Sequence, residues 1–253
     1  MNKIKLMSHL VAGFPTDELS LIAARALVAG GADILEIQLP FSDPSADGPA
    51  IQSACTEVLN RKYKTADGLK FIETVHKEFP HIPIYIMSYG SLVYTPGIKN
   101  FCKKAAAAGV KGMIVPDLPF DFDEGLTEAC KENGMVNIPV AAPGMSPERL
   151  GKMADAGFPY IDAALRTGIT GTETKIDEAT IAFLKKVSAG GSKICGGFGI
   201  SSGSQSALLA SSVEAVVCGS VFVRLIAENK NDGQKLYEAV KAKAMEISHS
   251  GED

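Results

Sequence analysis

The chain is predicted to be an α/β protein folded as one (β/α)8 (TIM) barrel over residues 1–253. Three observations predict it. Eight short apolar runs alternate with helix-like segments from end to end. No linker or composition shift interrupts them, which favours successive βα units sharing one parallel sheet. The length of 253 residues matches the roughly 250 typical of such a barrel. A doubly wound open sheet is the alternative architecture. Its strongest cue, G-x-G-x-x-G after the first strand, is missing, since Ala12-Gly13-Phe14-Pro15 stands there.

The elements follow in order. The first strand is Leu6–Ala12. The basic start at Lys3 faintly resembles a signal peptide, but Ser8 and His9 break the apolar run and no small-residue cleavage site follows. A helix over 17–30 stops at Gly30-Gly31. The second strand, Ile34–Leu39, runs into a Pro-rich loop, and helical pattern covers 50–78. Strand Ile82–Met87 precedes a helix over 97–108 closed by Gly109. Strand Gly112–Val115 precedes a helix over 123–133 closed by Gly134. Strand Val136–Val140 leads to a helix over 147–156, started by Ser146 as N-cap and Pro147 at the first helical position, and closed by Gly157. Strand Tyr160–Leu165 and a helix over 178–188 follow. Strand Ile194–Gly197 leads to a helix over 203–211 with a Ser202-x-x-Gln205 capping box. Strand Ala215–Cys218, a short helix starting near Val221 and a helix over 233–246 complete the chain.

Composition narrows the function. The chain is 46% apolar and 21% charged, with formal net charge −4, ordinary values for a soluble globular protein. No basic run with interleaved aromatics occurs, which argues against a nucleic-acid partner. No apolar run reaches membrane-spanning length. Cys55, Cys102, Cys130, Cys195 and Cys218 are scattered and odd in number, as expected of buried thiols in a reducing cytoplasm. His9, His76, His81 and His249 show no metal spacing.

Active sites of such barrels form at the C-terminal ends of the strands. There the chain places Glu36, Asp47, Tyr89-Gly90-Ser91, Asp117, Arg166–Gly171, Gly197–Gly199 and Gly219-Ser220. A carboxylate within an apolar strand is costly unless paired, neutral or functional. Glu36 is such a residue, and burial predicts a raised pKa for it. Asp47 on the next loop makes a pair of acids suited to proton transfer. The plainer readings are a satisfied barrel-lining acid for Glu36 and a helix N-cap for Asp47. Glycines after the seventh and eighth strands admit an anion to backbone N–H groups, and a helix starting near Val221 adds its N-terminus; their plainer role is tight turns. The Gly-hinged segment Arg166–Gly171 suits a water-excluding lid as well as a plain solvated loop. Lys111 and Lys193 fall at strand beginnings, the wrong end for a Schiff-base lysine. The reading therefore calls for acid–base chemistry with no metal and no cofactor.

The stretch Leu35-Glu36-Ile37-Gln38-Leu39-Pro40-Phe41-Ser42-Asp43-Pro44-Ser45-Ala46-Asp47-Gly48-Pro49 closely resembles the signature of the tryptophan synthase alpha chain family. Further matches follow in family order: Val11–Pro15, Val115–Pro119, Arg166–Gly171, Gly197–Ser202 and Gly219-Ser220. The resemblance implies retro-aldol cleavage of indole-3-glycerol phosphate to indole and glyceraldehyde 3-phosphate, and a beta chain partner in an α2β2 complex. It implies that Glu36 protonates the indole C3 carbon and that Asp47 holds the indole N–H. Tyr89, Asp162, Thr170 and Phe198 would line the substrate pocket. Gly171, Gly199, Gly219 and Ser220 would hold the phosphate, Arg166 and Gly168 would belong to the lid, and Phe41, Asp43 and Pro44 would face the beta chain. A stand-alone lyase and a non-catalytic, phosphate-binding regulatory subunit are the alternatives.

The chain also departs from the family pattern. Gln38-Leu39 replace Gly-Val, His9 replaces an aromatic residue against the indole, Ser91 replaces Asn, and Ser45 replaces an apolar residue at the partner surface. Asp162 stands where a Tyr lines the pocket. An inward-pointing, ionised Asp162 would serve as base and push Glu36 toward its protonated form; the alternative is a pairing with Arg166 that shapes the loop.

Overall fold

Side chains on a strand alternate between two faces, and each apolar run here serves two separate cores. The computed structural model describes residues 4–165, 176–197 and 199–249. Its strands are β1 (Lys5–Val11), β2 (Ile34–Gln38), β3 (Ile84–Met87), β4 (Val110–Ile114), β5 (Val136–Asn137), β6 (Val140–Ala141), β7 (Tyr160–Ala164), β8 (Lys193–Gly197) and β9 (Ala215–Cys218). Its α-helices are α1 (Asp17–Ala29), α2 (Pro49–Leu59), α3 (Thr65–Glu78), α4 (Gly90–Tyr94), α5 (Ile98–Ala107), α6 (Leu126–Glu132), α7 (Pro147–Asp155), α8 (Glu178–Val187), α9 (Gly203–Leu209), α10 (Ser220–Glu228) and α11 (Gly233–Ser248).

All pairings are parallel, and the strands run β5-β4-β3-β2-β1-β9-β8-β7-β6. The two ends of that order, β5 and β6, are consecutive pieces of one stretch. Ile138 N donates to Met113 O of β4 at 2.8 Å, and Asp162 N of β7 donates to Pro139 O at 3.0 Å. Residues 136–141 therefore join both edges and close the sheet into a (β/α)8 barrel. The predicted fifth strand, Val136–Val140, is split because Pro139 has no N–H to give to a ladder.

Met7, Ile34, Tyr85, Met87, Ile114, Ile138, Cys195 and Ala215 fill the barrel interior. The alternate positions Leu6, Leu10, Leu35, Ile37, Ile84 and Ile86 pack outward against the helices. Leu35 is fully buried there, and truncation to Ala at such a position costs about 2–5 kcal/mol.

The predicted caps at Ser146 and Ser202 form, and Thr16 adds one that was not anticipated. Thr16, Ser146 and Ser202 accept from Leu19 N, Arg149 N and Gln205 N at 3.2, 3.2 and 3.4 Å. Two helical readings change. The segment 50–78 divides into α2 and α3, broken where Lys62 takes a positive φ of 60°, a conformation helices do not contain. The short α4 was not anticipated; it follows β3 directly and brings Gly90 N to Asp117 Oδ1 at 2.8 Å.

Candidate active site

Register carries the first site residue to its partner. His9 on β1 lies opposite Glu36 on β2, and both side chains turn into the barrel. A 2.6 Å hydrogen bond joins His9 Nδ1 and Glu36 Oε1. His9 is 3% exposed and Glu36 5% exposed. The predicted acid in an apolar strand is thus not surrounded by apolar groups alone: a buried imidazole stands against it. Burial opposes charge on His9, yet the Glu36 charge and hydrogen bond, with Asp47 behind them, carry it above the ordinary imidazole range. His9 Nε2 is buried and has no hydrogen-bond partner among the described residues.

Asp47 sits on the loop between β2 and α2. Gln38 Nε2 and Tyr89 Oη each donate to its Oδ2 at 2.8 Å. The helix-cap reading does not hold, because Gly48 occupies the N-cap of α2 and no side chain caps it. Burial raises the Asp47 carboxyl, and the His9 charge and the two donors only partly offset that rise. Tyr89 follows β3 and also accepts from Ala46 N at 3.1 Å. It thereby fixes the Asp47 loop and stands behind the cavity wall instead of in it.

A cavity opens at the C-terminal ends of the strands. Its polar wall is His9, Glu36, Asp47 and Asp162, and its apolar wall is Ile51, Met87, Ile114, Val140 and Val217. Gly199, Gly219 and Ser220 also line it. Gly199 adopts φ 84°, which glycine takes without strain. Gly219 is the N-cap of α10 and Ser220 its first residue, so the positive end of that helix faces the cavity. A Cβ on Gly219 would lie 3.3 Å from His9 Cβ, which ties that glycine to the His9–Glu36 pair.

Asp162 on β7 points inward, with Oδ1 buried and unpartnered among the described residues. Burial first, and the Glu36 charge second, raise its carboxyl well above the usual carboxylate range. That opposes the expectation of an ionised base at this position. The physical reason is the lack of any donor to hold its charge among the described residues.

Phe41 stacks on Tyr89 with ring centroids 5.0 Å apart. Pro44 is buried, whereas Ser42, Asp43 and Ser45 around it are exposed. Arg166, Gly168, Thr170, Gly171 and Phe198 lie outside the described residues. Lys193 and Lys111 stand at the start of β8 and early in β4, away from the cavity. Among the described residues no three His, Cys, Asp or Glu side chains form a metal-holding group, and no helix is long and apolar enough to cross a membrane.

Sequence reasoning missed three partnerships, His9 with Glu36 and both Gln38 and Tyr89 with Asp47. The available signal was periodicity. His9 shares the inward phase of Met7, as Glu36 shares that of Ile34.

Comparison with known proteins agrees with this geometry. The family model described as tryptophan synthase alpha chain matches residues 1–251. The tryptophan synthase alpha chain of Helicobacter hepaticus is 38% identical over 238 residues, covering 92% of this chain and 89% of its own. That of Methanosarcina barkeri is 35% identical, with coverages of 93% and 89%. Among solved structures, a chain of the tryptophan synthase α2β2 complex of Pyrococcus furiosus superposes with TM-score 0.86 at 29% identity, covering 98% of this chain and 99% of that one. One from Mycobacterium tuberculosis tryptophan synthase gives TM-score 0.86 at 28% identity, covering 98% and 93%. With the family model spanning nearly its whole length, this chain belongs to the tryptophan synthase alpha chain family.

Proposed function

We propose that this chain cleaves indole-3-glycerol phosphate to indole and glyceraldehyde 3-phosphate in tryptophan biosynthesis. The observation that carries the reading is the convergence of two buried acids, Glu36 and Asp47, on one cavity that the N-terminus of α10 also lines. An indole ring suits the apolar wall, and a phosphate suits Gly199, Gly219 and Ser220. Glu36 gives its proton to ring carbon C3. The positive charge then on the ring is offset by Asp47, placed to accept from the ring N–H. The side-chain hydroxyl loses its proton to the Glu36 carboxylate and becomes the carbonyl of glyceraldehyde 3-phosphate. The carbon–carbon bond breaks, and its electron pair restores the neutral indole.

A beta chain is the proposed partner, since the Pyrococcus furiosus relative is an α2β2 complex. The exposed Asp43 and Ser45, on the same loop as Asp47, are the proposed contact. The cytoplasm is the proposed location.

Purified chain is incubated with indole-3-glycerol phosphate, with and without a beta chain, and indole and glyceraldehyde 3-phosphate are quantified. Equal yields of the two products are expected. Glu36→Gln is expected to lose roughly 10²–10⁴-fold in turnover. Indole release without a beta chain identifies a stand-alone lyase. No indole under either condition overturns the catalytic reading and leaves a regulatory subunit.

A further inference from the structure

We propose that His9 is a positioning residue for this reaction: through its bond to Glu36 it orients the carboxylate and shares one exchangeable proton with it, so that the pair sets the pH response of turnover. The proposal rests on the functional reading above. It stands on geometry. His9 and Glu36 are register neighbours on adjacent strands, their side chains are 2.6 Å apart, and both are buried in the cavity wall. A bond this short between an imidazole and a carboxylate is of the charge-assisted kind. It leaves the second carboxylate oxygen for the substrate.

The proton count closes. Before reaction the pair holds one mobile proton, on Glu36 or as imidazolium. Transfer of that proton to the ring carbon leaves the Glu36 carboxylate beside a neutral His9. The substrate hydroxyl then returns a proton to the carboxylate as the carbon–carbon bond breaks. No solvent proton is needed.

Among the described residues, the titratable groups near His9 are Glu36 on β2, Asp47 after it, and Asp162 across the cavity on β7. Cys195 on β8 adjoins Glu36 and Asp162 and is pushed upward by burial. Gly219 adjoins the His9 side chain and carries no charge. The net environment of His9 is anionic, so its proton is retained to higher pH and lost as pH rises through that raised range. Turnover should accordingly fall on the alkaline side.

The test compares wild type, His9→Phe and His9→Asn in indole-3-glycerol phosphate cleavage across pH, with circular dichroism to verify folding. His9→Phe is expected to lower kcat roughly 10- to 100-fold, the worth of a hydrogen bond to a charged group, with KM little changed. His9→Asn keeps a donor near the Nδ1 position and should recover part of kcat, but without the imidazole-dependent alkaline limb. A second measurement needs neither turnover nor the Phe variant. The chain has four histidines, and the imidazole signal absent from His9→Asn identifies His9 by NMR. Its titration should move to lower pH in Glu36→Gln. Wild-type kcat and profile in both His9 variants, or an unmoved His9 titration in Glu36→Gln, would overturn the proposal. A wild-type chain inactive with and without a beta chain overturns the functional reading itself and is seen before any variant is made.

Discussion

Gln38 Nε2 donates to Asp47 Oδ2 at 2.8 Å, and both side chains are buried. The contact spans from β2 to the loop that follows it, so one strand carries Glu36 inward and anchors the second acid two residues on. Tyr89 supplies a second donor to the same oxygen. Two donors stabilise the charged form of a carboxyl, yet burial still leaves Asp47 raised. Its ionisation depends on how many donors it keeps.

Gln38→Leu removes one of them with little change of volume. The Asp47 carboxyl should then rise further, and its charge should be lost at higher pH than in wild type. The expected result is a fall in kcat/KM for indole-3-glycerol phosphate of roughly tenfold or more, the worth of a hydrogen bond to a charged group. The fall should be steepest at acid pH. A kcat/KM profile across pH checks it, and a profile superimposable on wild type would show that Gln38 does not hold the charge.

Asp47→Asn separates charge from geometry. The amide oxygen can take the place of Oδ2 and accept from both Gln38 and Tyr89, so the loop should stay in position. The negative charge opposite the developing ring cation is gone. Turnover should drop roughly 10²–10³-fold, the size found when one electrostatic stabiliser is removed. Since burial already disfavours the ionised Asp47, thermal stability near neutral pH should be equal or higher. A variant that loses both activity and stability would mean that the residue is mainly structural.

The barrel was legible because local signals repeat eight times. Apolar runs, helix-ending glycines such as Gly109 and caps such as Ser146 each act within a few residues. The closure was less legible: that residues 136–141 pair with β4 on one side and β7 on the other is a long-range fact. Glu36 and Asp47 stood out because an acid in an apolar strand is anomalous by itself. Their partners did not. His9 is 27 residues from Glu36, and Tyr89 is 42 from Asp47; only strand register and the turn after β3 bring them together. The neutral tendency of Asp162 was hidden for the same reason, since it depends on which donors fail to reach it.

Gly219→Ala probes the proposed anion site of the cavity. The backbone there has a negative φ of −121°, so no left-handed conformation is at stake and the added methyl group is the main change. That group would sit 3.3–3.5 Å from His9 side-chain atoms, and it would stand at the start of α10 where a phosphate is proposed to bind. Glyceraldehyde 3-phosphate should bind about tenfold more weakly, a change of about 1.4 kcal/mol, by isothermal titration. Unchanged affinity in the folded variant would place the phosphate elsewhere.

Asp162→Asn should make the protein more stable, and more so at high pH. Asp162 lies between Val140 and Cys195 in strand register, and its Oδ1 has no partner among the described residues. Burial, then the Glu36 charge, raises its folded pKa well above the ordinary value. In the unfolded chain the same group ionises near ~3.9. Between those two points the folded state binds more protons than the unfolded one, so stability falls as pH rises. The contribution of Asp162 is therefore intact below ~3.9 and is lost as pH climbs through the raised folded value. Each tenfold difference in proton affinity is worth about 1.4 kcal/mol. Asparagine cannot ionise and escapes this loss, while any cost of its buried amide is the same at every pH. The decisive quantity is the melting-temperature difference between variant and wild type at pH 8 minus that at pH 4. It should be positive by several degrees, given about 2–4 °C per kcal/mol for a chain of this size. A difference that is equal at the two pH values would mean that Asp162 is ionised in the folded protein, held by a donor from outside the described residues.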